Sequence, residues 1–444
     1  MNILVLGYGV EGKSVENYFK QDSILYEHTS IEILDNFNKE ELLFKDFSNY
    51  DLIFRTPSIP PKFINAPKEK ITSVTKYFFH HCPCPIIGVT GTKGKGTTCT
   101  LTRDIIQSIF NTETPLRNTH LVGNIGIPAL DELSNIKADD VVIYELSSFQ
   151  LWDMDISPTI SVILRIEPDH LDVHESFQEY TSAKQNIVNF QKPENFCIYF
   201  KDNPKTQDLT APTLAQKLEY PYPEPAMLDE LQVPGAHNRE DAEAAILATF
   251  AFFKLSDSEL TFESFLQKHE TAIRKALHDF KPLPHHIEFV RELNHIKYYD
   301  DSFSTVSPAL RACLDAFHDT PFVLIAGGKD KGFDLTEVKR LIFDNPNLIK
   351  VVLIGETADK LAENEDPTKF IKAGQDFEFA VKTAQNIAET KLAQEEENSD
   401  TCIVDKKPDI KPPVVLLSPC ASSFDMFKNY KDRGDQFKQI VNAL

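Results

Sequence analysis

A glycine-rich turn set between an apolar run and a helix-forming run constrains this chain most: Pro85 to Thr98, PIIGVTGTKGKGTT. Ile86, Ile87 and Val89 read as a short buried strand, Gly91, Gly94 and Gly96 follow closely, and a helix is predicted from near Thr98. Such a turn binds phosphate. Its glycines let backbone N–H groups close on phosphate oxygens, the helix N-terminus adds partial positive charge, and Lys95 supplies a mobile cation. Gly88 to Lys95 comes close to G-x-x-x-x-G-K, with one residue more between the two glycines, and Gly96 stands where a Ser or Thr ordinarily binds Mg²⁺, leaving Thr97 as the nearest substitute. Gly91, Thr92, Lys93, Gly94, Lys95, Gly96, Thr97 and Thr98 are therefore the candidate nucleotide-binding run.

At 444 residues the chain exceeds what one core supports, and about two to four domains are expected. Its formal net charge of −21 argues against a nucleic-acid partner, whose phosphates would repel it. The seven cysteines are odd in number and form no C-x-x-C pair, so reduced thiols are expected. Met1 leads straight into the strand NILVLG, with no basic leader and no apolar run long enough to cross a bilayer; a cytoplasmic protein without a membrane partner is expected.

From the start, Ile3 to Leu6 read as a strand, and Gly7, Gly9 and Gly12 give G-x-G-x-x-G before the helical run SVENYFK. A second strand, SILYEH, brings Glu27 to where a dinucleotide-binding fold places its ribose acid. Strands DLIFRTPSIP and KITSVT complete a small parallel sheet. This unit is too short for a six-stranded nicotinamide domain before Gly88 opens another, so it reads as holding a diphosphate on Gly9, Val10, Glu11 and Gly12.

Further on, the strand DDVVIY delivers Glu145, followed by LSSFQL, and an acid at a core strand end beside a phosphate loop is the expected Mg²⁺ ligand. After the strand ISVILRI the loop carries Glu167, Asp169, His170 and Asp172, which with Glu145 and Lys95 suggest a metal and nucleotide site. In the helix SFQEYTSAKQNIVNF, Phe177, Tyr180, Ala183, Ile187 and Phe190 form an expected core face, with Lys184 beside it. Lys201 to Pro234 reads as a connector or poorly packed edge, and REDAEAAILATFAFF as a strong helix with Asp241 in its first turn. Beyond the boundary KPLPHH, alternating strands and helices predict a second Rossmann-like sheet, with polar residues gathered after its strands at Asp300 to Ser302, Lys329 to Lys331 and Ser418 to Ser423. The run QEEENSDTCIVDKKPDIKPP is expected to be a mobile surface insertion.

The order of G-x-G-x-x-G, GTKGKGT, VGNIGIP, YELSSFQL, EPDHLDVHESFQEYTSAK, PGAHN, LPHHIE, DDSFST, GGKDKG and SPCASSFDMFKNYKDRG resembles the Mur ligases of peptidoglycan synthesis over almost the whole chain. ELSSFQL, the SP-x-x-x-S-x-D-x-F-K-N pattern and the late RG are most similar to the members that add D-glutamate to UDP-N-acetylmuramoyl-L-alanine. The resemblance implies an α/β protein of three domains: a Rossmann-like UDP-sugar domain over 1–82, a central P-loop ATPase domain over 83–283 and a Rossmann-like amino-acid domain over 284–444. It implies ATP, two Mg²⁺ ions and an acyl phosphate that an amine attacks, in a protein expected to be a monomer. Lys95 and Mg²⁺ on Glu145 would neutralise the γ-phosphate, while His170 and a carbamylated Lys184 would hold the second ion. Asn124 would contact the muramoyl peptide with Ser147 and Ser148 nearby. Thr305, Lys331, Ser423 and Tyr430 match glutamate-binding positions, and Asp301 matches the ribose contact.

Departures from the family pattern concentrate on the nucleotide. Gly96 replaces a common Ser, His286 an arginine on the phosphates, Phe303 a lysine, and Asp241 an asparagine near adenine; Arg165 and Pro168 also alter the loop before His170. The GKG form resembles folylpolyglutamate synthase, which lacks a UDP-binding domain ahead of its phosphate loop. Besides the amide ligase, a nicotinamide oxidoreductase rests on Gly7 to Gly12 alone, and a non-catalytic nucleotide-binding protein on the phosphate loop alone.

Overall fold

The computed structural model describes residues 1–21, 28–114, 116–171, 173–222, 226–332, 334–400 and 411–444. Its strands form three sheets. The first contains β1 (Asn2–Leu6), β2 (Ser30–Leu34), β3 (Leu52–Arg55) and β4 (Ile71–Ser73), in the order β2-β1-β3-β4 and parallel throughout. Ile3, Leu4, Val5 and Leu6 are all buried, which is why β1 reads as an unbroken apolar run: a parallel strand covered on both faces has no polar side. The helix Val10–Gln21 lays Phe19 against Phe54 of β3, ring centroids 5.9 Å apart. Four strands do not make the six-stranded dinucleotide fold, which removes the ground for a nicotinamide reading of Gly7 to Gly12. The expected strand SILYEH with Glu27 lies largely in 22–27, outside the described residues; the strand beside β1 is SIEIL, and the acid that follows it is Asp35.

The second sheet holds β5 (Ile86–Thr90), β6 (Thr119–Gly123), β7 (Val141–Glu145), β8 (Ile160–Ile163), β9 (Phe196–Phe200) and β10 (Gln216–Tyr220). Its order is β10-β9-β8-β5-β7-β6, again all parallel. Two expectations are corrected here. Of the connector or poorly packed edge expected over 201–234, the connector is wrong: the stretch contains a helix, Pro204–Thr210, and the sheet's edge strand β10, with Tyr220 and Leu228 buried; an edge strand with one wet face carries little apolar signal. The helix of the YTSAK run spans only Phe177–Gln185, so its spacing does not extend to Phe190, which is 46% exposed while Tyr180, Ala183 and Ile187 are buried.

The third sheet has β11 (Glu288–Leu293), β12 (Ile296–Asp300), β13 (Phe322–Gly327), β14 (Leu348–Ile354), β15 (Phe370–Gly374) and β16 (Val414–Leu417) in the order β11-β12-β16-β13-β14-β15. All its pairs are parallel except the β11–β12 hairpin. The helix Phe377–Asp400 runs through 394–400, so that part of the expected insertion is helical; 401–410 lie outside the described residues. The first two sheets belong to one compact unit, Met1–Gln232 with Asn238–Phe280, and the third to another, Val233–His237 with Lys281–Leu444. Among the described residues no helix is long and apolar enough to cross a membrane.

Candidate active site

Strand order builds the site in the central sheet. β8, β5, β7 and β6 are parallel neighbours, so the loops that follow them leave the same sheet edge, where open α/β sheets bind ligands. After β5 the chain turns through Gly91 to Gly94 and enters the helix Lys95–Glu113, which begins at Lys95 rather than near Thr98. Gly94 caps it at φ +83°, a left-handed conformation that a side chain would strain. A Cβ there would also lie 2.2 Å from Asp241 Oδ1, so the Asp241 carboxyl packs directly against the loop. Lys95 Nζ curls back to donate to the carbonyls of Gly91 and Thr92 at 3.1 and 3.0 Å. Lys93 is exposed, Gly96 and Thr97 are half-buried, and Thr98 is fully buried.

Glu145 ends β7 and is buried, accepting a hydrogen bond from Asn124 Nδ2 at 3.0 Å. Asn124, expected on the substrate, therefore also orients this carboxylate. Ser147 caps the short helix Ser148–Leu151 in a reciprocal arrangement with Gln150. Lys184 is buried in the last turn of its helix and donates to Thr90 Oγ1 at 3.2 Å and to Gly91 O at 2.9 Å. Burial, reinforced by the charge of Lys95, holds its amine well below the ordinary lysine range, against the pull of Asp169 and Glu145. Lys95 and Lys184 thus converge on the Gly91 carbonyl, with Glu145 close enough to act on the Lys184 charge.

The loop after β8 is laced to the phosphate loop through Thr92, whose N–H donates to Arg165 O at 2.9 Å and whose hydroxyl donates to Glu167 O at 3.0 Å. His170 has a left-handed backbone, φ 53°, and its half-exposed ring meets Phe149 edge-on at 5.0 Å. Its described contacts do not include Glu145 or Lys184. Asp172 lies outside the described residues. The sequence reading passed over His174, which is buried, stacks on Phe149 and shares a 2.9 Å hydrogen bond with Ser148 Oγ.

The first sheet meets this region through side chains that its motif does not reveal. In the Gly9–Gly12 turn Val10 is 72% exposed, whereas Glu11 turns inward and accepts from Gln150 Nε2 at 3.0 Å. Burial pushes its carboxyl up to about 6, with Gln150 and Arg55 pulling the other way. Arg55, at the end of β3 and fully buried, donates from Nε to Asp153 at 2.9 Å and from a terminal nitrogen to Phe149 O at 3.1 Å. A charged residue closing the apolar strand LIFR was its only sequence signal. Asp35, after β2, accepts the Tyr8 N–H at 3.2 Å.

In the second unit the loops after β12, β16 and β13 are again neighbours. Asp301 is buried, accepts from Ser418 Oγ at 2.7 Å and from the Ile287 N–H at 3.3 Å, and is pushed up to about 7 by burial. Arg433 of the late RG is wholly buried, donating to Ser302 Oγ, Ser302 O and Ala421 O at 2.9, 2.9 and 3.0 Å, so it ties two of the loops together. Gly434 beside it leaves no room for a Cβ, which would lie 2.1 Å from His285 Nδ1. Two departures from the family pattern touch: the His286 ring stacks on Phe303 at 4.1 Å, and Phe303 meets Tyr430 edge-on at 5.2 Å. Burial lowers the His286 pKa. Ser423 is buried, Thr305 half-buried and Lys331 exposed. His285, Glu288 and Asp300 stand close enough for a metal, but Lys438 pairs with Glu288 at 3.0 Å.

The family model for the Mur ligase middle domain matches residues 89–229. The UDP-N-acetylmuramoylalanine–D-glutamate ligase of Clostridium kluyveri is 35% identical over 432 residues, covering 91% of this chain and 85% of its own. Among solved structures, a UDP-N-acetylmuramoylalanyl-D-glutamyl-2,6-diaminopimelate–D-alanyl-D-alanyl ligase from Acinetobacter baumannii superposes with a TM-score of 0.57 at 15% identity, covering 88% of this chain and 84% of its own. The MurF ligase of Thermotoga maritima in complex with ADP gives 0.51 at 14%, covering 89% and 90%. At these identities the two structures speak for the fold alone.

Proposed function

This chain belongs to the Mur ligase family, and from that membership we propose that it joins D-glutamate to UDP-N-acetylmuramoyl-L-alanine in the synthesis of a peptidoglycan precursor. Members are ATP-dependent ligases that build an amide from a carboxylate. The observation that carries the reading is the gathering of Lys95 and Lys184 on the Gly91 carbonyl with Glu145 on the adjacent strand. An alanyl carboxylate oxygen attacks the γ-phosphorus of ATP, ADP leaves, and the glutamate amine then displaces phosphate from the acyl phosphate. Lys95 and the Gly91 to Thr98 amides hold the phosphates and offset charge as it shifts towards the leaving oxygen.

The donor set suits Mg²⁺: a strand-end carboxylate oriented by Asn124, with Thr97, His170 and Lys184 as further candidates. When bound, the ions supply charge neutralisation. Lys184 contributes if its neutral amine adds CO₂, forming an N–C bond and releasing one proton, because the carbamate is an anionic oxygen ligand. Burial and Lys95 favour the neutral amine that this addition needs. Gly9 to Gly12 take the diphosphate of the UDP-sugar, Ser147 and Ser148 its peptide, Asp241, His286 and Asp301 the nucleotide, and Thr305, Lys331, Ser423 and Tyr430 the glutamate. Domain limits of 1–82, 83–283 and 284–444 divide these residues among three domains of a cytoplasmic monomer.

Incubation with ATP, UDP-N-acetylmuramoyl-L-alanine and either enantiomer of glutamate tests the proposal. Phosphate release should require both the sugar peptide and D-glutamate. Release indifferent to either substrate, or preference for L-glutamate, would overturn it.

A further inference from the structure

The Asp241 carboxyl is buried and pressed against Gly94, the left-handed cap of the phosphate loop, with Oδ1 2.2 Å and Oδ2 2.7 Å from where a Gly94 Cβ would stand. A loop built to collect anions therefore has an acid packed against its glycine cap. We propose that Asp241 must carry its proton for the phosphate loop to take up a nucleotide, so that nucleotide binding is coupled to proton uptake at this residue. The inference rests on the loop being the nucleotide site.

An ionised carboxylate at that position would add negative charge beside the incoming phosphates, in a setting shielded from water. A protonated carboxyl instead presents a carbonyl and a donor, the pair of groups an asparagine amide offers. The surroundings favour the protonated form. Burial raises the Asp241 pKa well above the usual carboxylate range and Glu240 adds to it, while the Thr98 hydroxyl, Lys95 and Arg165 pull the other way. The counter-charge is largely engaged elsewhere. Arg165 grips Glu240 through Nε at 2.8 Å and a terminal nitrogen at 2.7 Å, and Lys95 donates to loop carbonyls. Two further titratable neighbours, Cys99 on the loop helix and Tyr220 at the end of β10, are both pushed up by burial and add no cation.

The test is ADP affinity by titration calorimetry, without magnesium, from pH 7.5 to 9.5 in the full-length protein and in Asp241→Asn. Titration of Lys95 and of ADP itself occurs in both proteins and cancels from the ratio of their Kd values. That ratio, wild type over variant, should climb by about tenfold per pH unit once the free carboxyl has ionised. In buffers of different ionisation enthalpy, wild type should take up more protons per ADP than the variant at every pH where the ratio climbs. A flat ratio with equal proton uptake overturns the proposal and leaves the nucleotide site standing. Absence of ADP binding by wild type at every pH overturns the nucleotide site itself, and the proposal with it.

Discussion

Lys184 Nζ hangs from the carbonyl of Gly91 at 2.9 Å, so a buried amine from a helix some ninety positions along the chain is fastened to the phosphate loop itself. That placement leaves little room for a solvated surface lysine. Replacing Lys184 with Ala should lose most of the turnover, and a small carboxylate such as acetate should restore part of it by occupying the vacated anionic position. Wild-type rates in the alanine variant, measured as phosphate release, would end the metal role proposed for Lys184.

In the proposed mechanism Lys95 contributes charge where the phosphates shift, and its half-buried side chain donates to the turn it belongs to. Lys95→Ala is expected to lower kcat by about 10²–10³-fold or more, the usual scale for removing one preorganised donor. The thermal midpoint should move by no more than a few degrees. A variant that turns over at near-normal rates would exclude Lys95 from the transition state.

The phosphate loop, Glu145 and the sequence of sheets were legible because each is a local pattern: an apolar run, a turn, and a charged residue at the strand's end. Side chains whose partners lie far along the chain were not. Arg55 finds Asp153, and His174 finds Ser148, only after the sheets have assembled. Glu11 sits inside a glycine motif that suggests a ligand contact, yet its partner is Gln150. β10 was missed because QKLEY, exposed along most of its length, lacks the apolar run of a central strand.

Arg55 and Asp153 allow a stability test independent of catalysis. The guanidinium is wholly buried and Asp153 is 18% exposed, so Asp153→Ala strands a charge away from water. The expected loss is roughly 3 kcal/mol, at the lower end for breaking a buried pair because Asp153 is partly wet. Urea unfolding measures it, and replacing both residues with apolar ones should recover a good part. A single-variant loss below about 0.5 kcal/mol would show that the pair does not anchor Phe149.

Lys331 follows β13 and is exposed, as a residue waiting on a carboxylate should be. Lys331→Ala is expected to raise the KM for glutamate by about tenfold or more while leaving the KM for ATP within about twofold, since a charge-assisted hydrogen bond to a carboxylate is worth roughly 1.5–3 kcal/mol. Initial rates with each substrate varied in turn separate the two. Equal rises would move Lys331 to the nucleotide.

Asp301 gives the second unit a pH-dependent stability whose sign can be worked out. Burial pushes its carboxyl up to about 7 in the folded chain, opposed by donors from Ser418, Cys313 and Ile287, whereas an unfolded aspartate titrates near 3.9. Between those values the folded state holds a proton that the unfolded state has released, so stability falls as pH rises from about 4 to 7 and then levels. The span corresponds to a loss on the order of 4 kcal/mol, complete above pH 7 and absent below pH 4. Asp301→Asn should keep an acceptor for the Ser418 hydroxyl and remove the slope. The variant should therefore gain on wild type steadily across pH 4 to 7, in unfolding followed by a probe in the second unit, and hold a constant lead above. Parallel curves for the two proteins would mean that Asp301 is ionised in the folded state at ordinary acid pH, and that Ser418 and Ile287 outweigh its burial.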